Sequence, residues 1–267
     1  MSSFFVHLRL FFRLAAFVVV TILAQIGFAL TSLLVGRKRR IDVINWWIPR
    51  WAGALLWLFG IRVTANGPHV GEGKLYPGHD DRGVGRIFVA NHRSGTDIPV
   101  AFTLVAAHAI SRHDLATWPI LGSGARRVGT LFVDRSNRRS GAAALRQIAD
   151  ALGAGEGVLM FPEGTAHVGD DVQEFKPGAF TTAARTDAEI VPLGIAYGDP
   201  AAYYAKQSFM KHLQTIGEMT RLDVAVEAGE PICLDGREPL EVKELVKQQM
   251  QLLVDKARAR LGGERHA

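Results

Sequence analysis

In the stretch VANHRSGTDIPV (residues 89–100), an apolar run stops at Asn91 and His92, and Asp97 follows five residues after the histidine. An extended chain would hold these two residues about 17 Å apart. A helix would point them about 140° away from each other. They meet only if the chain turns between them, and Arg93-Ser94-Gly95-Thr96 has the composition of a turn. Ser94 or Thr96 is then expected to cap the following helix, with Asp97 in its first turn and Pro99 tolerated there. A carboxylate accepting from one ring nitrogen fixes the imidazole tautomer and leaves the other nitrogen free to take a proton. Ser94 is the local candidate nucleophile, but the G-x-S-x-G pattern of a nucleophile turn is absent from the chain. The pair therefore reads as a general base that activates a substrate hydroxyl or water. On spacing alone, the competing reading is a helix cap.

Such a pair has to be held by surrounding elements. RIFVAN (86–91) is a strand by its β-branched and aromatic content, and residues 97–107 read as helix. Further strands are expected at 62–65, 130–134, 157–162, 190–197 and 222–228. Helices are expected at 139–152, 178–185, 205–217 and 238–261, the last ended by Gly262 and Gly263. Residues 66–85, rich in Gly, Pro, His and Asp, read as a loop, and the tail GGERHA is expected to fray. Strands alternating with helices imply an α/β domain over residues 61–267, with a mixed, largely parallel sheet flanked by helices. Ligands gather at the carboxyl ends of strands in such sheets. The polar clusters NHRSGTD, VDR, PEGT and AYGDP all fall at predicted strand ends.

Residues 1–60 have a different character. From Leu14 to Gly36 the chain carries no charge over 23 residues, with Arg9 and Arg13 before this stretch and RKRR (37–40) after it. A helix of that length matches one hydrocarbon core, about 30 Å. A second apolar piece, WWIPRWAGALLWLFG (46–60), is too short to span alone, and its four tryptophans suit the headgroup region. Two anchoring helices are expected, one spanning or dipping into a bilayer and one near its interface. The basic cluster after the first helix places the downstream domain on the cytoplasmic side.

The charge distribution argues against nucleic acid as a partner. Seven of the 31 Lys and Arg residues but only one of the 26 acids lie in the first 60 residues, so the positive excess belongs to the arm and the remainder is nearly neutral. A lone cysteine, Cys233, excludes an intrachain disulfide and a multi-cysteine zinc site. His69, His79, Asp80 and Asp81 fit no zinc spacing, and no metal is expected.

NHRSGTD, GTLFVDR (129–135), FPEGT (161–165) and IVPLGI (190–195) occur in that order, and together they resemble the glycerolipid acyltransferase family, of which 1-acylglycerol-3-phosphate acyltransferases are members. The resemblance runs from about residue 86 to 232. It implies that His92 is the general base and Asp97 its partner, and that Arg135 holds the acceptor's phosphate through its forked donors. Glu163 and Gly164 are implied at the acceptor site, the first accepting from a hydroxyl and the second permitting close backbone approach. Thr165 would close the turn, and Pro192 would shape the wall near the acyl chain. Arg112 stands where the family commonly has Lys, which leaves a role near the thioester or phosphate open, and Lys176 in EFKPGAF would face a phosphate or solvent. The implied reaction moves an acyl group from acyl-CoA or acyl carrier protein to the free hydroxyl of 1-acylglycerol-3-phosphate, giving phosphatidic acid; the alternatives are another lysolipid acceptor such as lyso-ornithine lipid, or a non-catalytic lipid-binding membrane protein. The resemblance implies no cofactor beyond the acyl donor as co-substrate. It also implies membrane lipids as partners and a location at the cytoplasmic face of a bacterial inner membrane.

Overall fold

The computed structural model describes residues 3–36, 39–70, 73–134, 138–204 and 208–266. In chain order the elements are α1 (Ser3–Val35), α2 (Arg40–Phe59), β1 (Ile61–Asn66), β2 (Ile87–Ala90), α3 (Asp97–Phe102), β3 (Ala107–Arg112), α4 (Leu121–Arg127), β4 (Leu131–Val133), α5 (Arg138–Gly153), β5 (Gly157–Met160), α6 (Gly178–Thr186), β6 (Ile190–Tyr197), α7 (Phe209–Glu218), β7 (Leu222–Ala228) and α8 (Pro239–Arg260). The strands form a seven-stranded sheet in the order β1-β7-β6-β2-β5-β3-β4. β6, β2, β5, β3 and β4 are mutually parallel, while β7 runs antiparallel to β6 and carries β1 parallel to itself. The mixed, largely parallel sheet expected from the sequence is therefore present.

β2 lies at the centre and is buried on both faces, as its unbroken apolar run requires. Phe88 and Ala90 point into a core shared with Leu56 and Phe59 of α2, whereas Ile87 and Val89 point into a second core under α5, α6 and α8. Burying Ile87, Phe88 and Val89 contributes about 1.5–3 kcal/mol each. β6 alternates in the same way. Val191, Leu193, Ile195 and Tyr197 face the α2 side, and Gly194 faces α8, where a Cβ would stand 2.5 Å from the backbone of Leu253 and Val254. The absent side chain at Gly194 lets α8 lie directly on the sheet.

α1 and α2 form an antiparallel hairpin. Trp47 donates its indole N–H to Thr31 (2.9 Å) and Trp51 to Thr21 (3.2 Å), so these two tryptophans stitch the helices together. Only Trp46 and Trp57 are turned outward, so the four tryptophans do not share the headgroup environment expected of them. Arg9 and Arg13 also serve the fold. Arg13 donates to the carbonyl of Gly217 at 3.0 Å and to that of Met219, and Arg9 to the carbonyl of Glu218. Two guanidinium groups thus satisfy the last carbonyls of α7, where the helix dipole favours positive charge.

Three local expectations are corrected. The predicted helix over 97–107 stops at Phe102, and β3 follows, pairing Ala107 with Gly157 of β5. The run VAFTLVAAHAI has no Gly, Pro, Asn or Asp to break it, so only pairing with β5 separates strand from helix there. β3 and α4 were not among the elements expected from the sequence. The C-terminal tail is docked instead of frayed: His266 donates its backbone N–H to Asp170 Oδ2 (2.8 Å), and the buried Arg258 and Asp170 pair at 2.8 Å beneath it.

Replacing Gly194 with Ala is expected to lift α8 from β6 and cost about 1–3 kcal/mol. A lowered thermal midpoint of the full-length protein in detergent checks this, and an unchanged midpoint would refute the close-packing role.

Candidate active site

β2 delivers Asn91 and His92 at its carboxyl end, beside the carboxyl ends of β5 and β6. Asn91 is fully buried and bridges to β6 as if it were backbone, its amide donating to the Ile195 carbonyl (2.9 Å) and its oxygen accepting from the Ile195 N–H (2.8 Å). This side-chain rung extends the sheet by one residue and aims the next position, His92, over the strand ends.

The chain then reverses around Asp97. Asp97 Oδ2 accepts from the backbone N–H groups of Arg93 (2.7 Å) and Ser94 (2.9 Å) and lies 2.6 Å from His92 Nδ1. Because that oxygen already gathers donors, the ring proton sits on Nδ1 and the Nε2 lone pair is free. No described residue hydrogen-bonds Nε2. The imidazole stacks on Phe161 (centroids 4.4 Å apart) and its side chain remains 19% exposed, while Asp97 is wholly buried. The turn inferred from residues 93–96 thus brings the two side chains together. The expected cap does not form, since neither hydroxyl caps α3. Ser94 Oγ instead accepts from the Thr96 N–H and lies 3.2 Å from His212 Nε2, which also accepts from the Gly95 N–H (3.0 Å). Burial holds His212 below its ordinary value, consistent with a neutral ring that accepts at Nε2.

The backbone of His92 is pinned from below by an element that spacing did not reveal. Glu163 Oε2 accepts the His92 N–H at 2.7 Å, and Arg93 Nη1 donates both to the His92 carbonyl (2.7 Å) and to Glu163 (2.8 Å). Glu163 Oε1 accepts from the Gln173 N–H, and Arg93 Nη2 donates to the Asp171 carbonyl. Neither side chain of the Arg93–Glu163 pair is exposed. Glu163 therefore does not fit the expected role of accepting from an acceptor hydroxyl, because three protein donors occupy its oxygens beneath His92.

Gly164 takes a left-handed conformation (φ 80°) and packs bare against Lys176, whose Nζ would lie 2.5 Å from any Cβ there. Among the described residues, Lys176 Nζ has no hydrogen-bond or ion-pair partner, so an exposed ammonium stands beside the FPEGT turn. Thr165 is exposed and its hydroxyl has no described partner; the turn is closed by the Gly164 N–H and the Phe161 carbonyl (3.0 Å). Pro192 packs against Gly229, on the α8 side of the sheet away from His92. Arg112 ends β3, paired with Val133, and its side chain is not described. Arg135 lies outside the described residues, directly after Asp134 at the end of β4. Arg93, Phe161, Tyr197 and His212 were not singled out by sequence. Arg93 lay inside the first block, and Tyr197 was legible only as the last residue of an apolar strand.

Residues 77–196 match the family described as Acyltransferase. Over 221 residues the chain is 29% identical to a lyso-ornithine lipid O-acyltransferase of Pseudomonas aeruginosa, covering 80% of this chain and 78% of that one. It is 27% identical over 161 residues to a 1-acyl-sn-glycerol-3-phosphate acyltransferase of Neisseria gonorrhoeae, covering 58% and 62%. These likenesses are to acyltransferases of lysolipids, and the family match covers a little under half of the chain. The fold agrees with the crystal structure of the 1-acyl-sn-glycerophosphate acyltransferase PlsC from Thermotoga maritima, with a TM-score of 0.73, 20% identity and 96% of each chain covered. The clusters NHRSGTD, VDR and PEGT lie within the matched residues.

Removing the Glu163 carboxylate with Glu163→Ala leaves the Arg93 cation in a dry interior, an imbalance that costs about 3–5 kcal/mol. The expected readout is a large drop in thermal midpoint together with loss of turnover. A variant of unchanged midpoint with a raised acceptor KM would instead restore the hydroxyl-binding role.

Proposed function

We propose that the protein is a membrane-bound O-acyltransferase that moves a fatty acyl group from an acyl thioester to the free hydroxyl of 1-acylglycerol-3-phosphate. The observation that carries this reading is the 2.6 Å His92 Nδ1–Asp97 contact, with no described partner on Nε2 and the imidazole still 19% exposed. Nε2 takes the proton of the lysolipid hydroxyl as the oxygen attacks the thioester carbonyl. The tetrahedral intermediate then expels the thiolate, which receives that proton from the imidazolium. Ser94 is fully buried and tied to His212, which argues for direct transfer without an acyl-enzyme. The unpaired Lys176 ammonium over Gly164 suits a phosphate oxygen, and Arg135 remains the second phosphate ligand in this reading. The donor is acyl-CoA or acyl carrier protein.

A lyso-ornithine lipid acceptor is the second reading. It is favoured by matches to lyso-ornithine lipid O-acyltransferases that extend over 80% of the chain, against 58% for the Neisseria 1-acylglycerol-3-phosphate enzyme.

The arm supplies the lipid surface. α1 is long and apolar enough to cross a membrane. Its outward residues Phe4, Phe11, Val19, Ile22, Ile26, Leu30 and Leu33 recur at helical spacing. Its opposite flank is fastened to the body at both ends, through Arg9 and Arg13 on α7 and through Gln25, which donates to the Ile120 carbonyl (2.8 Å). We infer that α1 lies along one leaflet, with the exposed Trp46 and Trp57 at the headgroups, on the cytoplasmic face of the inner membrane. α2 packs directly on α3, the helix that begins with Asp97, so the base stands next to the bilayer from which its substrate comes.

His92→Ala is expected to lower turnover by about 10²–10⁴-fold with an unchanged melting midpoint. Purified enzyme supplied in parallel with labelled 1-acylglycerol-3-phosphate and lyso-ornithine lipid, each with acyl-CoA and with acyl carrier protein, identifies acceptor and donor. Full activity of the variant would overturn the base assignment, and exclusive use of lyso-ornithine lipid would overturn the phosphate acceptor.

A further inference from the structure

Asp97 has a second oxygen, which does not touch the histidine. Oδ1 accepts from the phenol of Tyr197 at 2.6 Å, and Tyr197 is the only described donor to it. Tyr197 is completely buried at the end of β6 and projects on the same face as Val191, Leu193 and Ile195. Its oxygen also lies 2.9 Å from Thr96 Oγ1. Burial, and then the neighbouring Asp97 charge, push the phenol well above its usual range, so it keeps its proton and donates.

We propose that Tyr197 is a positioning residue for the transfer reaction, its phenol clamping the far oxygen of Asp97 so that the near oxygen stays aimed at His92 Nδ1. A carboxylate held through one oxygen alone can rotate about its Cβ–Cγ bond. Two backbone N–H groups and the imidazole crowd Oδ2, and the phenol fixes the plane from the opposite side. Tyr197 also sets how strongly Asp97 supports a charged imidazole, because a donor to one oxygen withdraws charge from the other. The inference rests on the reading of His92 as the base.

The test is the pH profile of kcat/KM for full-length enzyme in detergent micelles with a labelled lysolipid and acyl-CoA. Tyr197→Phe is expected to lower kcat about tenfold with little change in either KM, since a hydrogen bond to a charged group is lost. It should also move the acid limb of the profile up by about half to one pH unit, because the unclamped carboxylate holds the imidazolium more strongly. Replacing Tyr197 by 3,5-difluorotyrosine keeps the shape and strengthens the donor, so the acid limb should move down. This second protein carries the test if the phenylalanine variant does not fold. A purely structural tyrosine would lower the folded fraction and leave both limbs in place, and that result would overturn the proposal. His92→Ala separates the two readings: an inactive His92 variant with unmoved limbs sinks the Tyr197 role alone, whereas an active one sinks the base and the clamp together.

Discussion

A carboxylate with no solvent contact and donors on both of its oxygens organises this molecule. Asp97 gathers the N–H groups of Arg93 and Ser94, the imidazole of His92 and the phenol of Tyr197. The tight reversal between β2 and α3 is stable only because these otherwise unpaired N–H groups find an acceptor there. The group that shapes the turn is also the group that orients His92, so the geometry of the proposed base and local folding are one requirement. A side chain that lost the pairing would lose the turn as well.

The layer beneath the base follows the same logic. Arg93 and Glu163 form a buried ion pair whose further hydrogen bonds go to the backbone of His92, Asp171 and Gln173. Buried pairs of this kind contribute little net stability over apolar packing, yet removing one partner is costly. Their value here is geometric. They couple the strand end of β2 to the loop after β5, so that two of the four sequence clusters share one rigid frame.

The membrane arm is part of that frame. Arg9, Arg13 and Gln25 fasten α1 to α7 and to the segment before α4, while α2 packs its inner side on the central sheet and on α3. A helix tethered along its flank leaves an apolar stripe facing outward.

Much of this was legible before the chain was folded. The apolar arm, the alternation of strands and helices, and four polar clusters at strand ends follow from residue type and period, because burial on both faces of a parallel strand and on one face of a helix leaves a direct imprint on the sequence. The His92–Asp97 turn was legible because residues 93–96 allow few other paths. β3 was not, since its apolar run suits strand and helix equally and only pairing with β5 decides between them. The task of Glu163 was also hidden. A carboxylate in a turn looks the same whether it faces a substrate or an arginine 70 residues away, and the choice depends on which buried donors the fold brings within 3 Å. The same holds for Tyr197: its place on a strand face is a matter of sequence period, but its meeting with Asp97, 100 residues earlier, exists only because β6 pairs with β2.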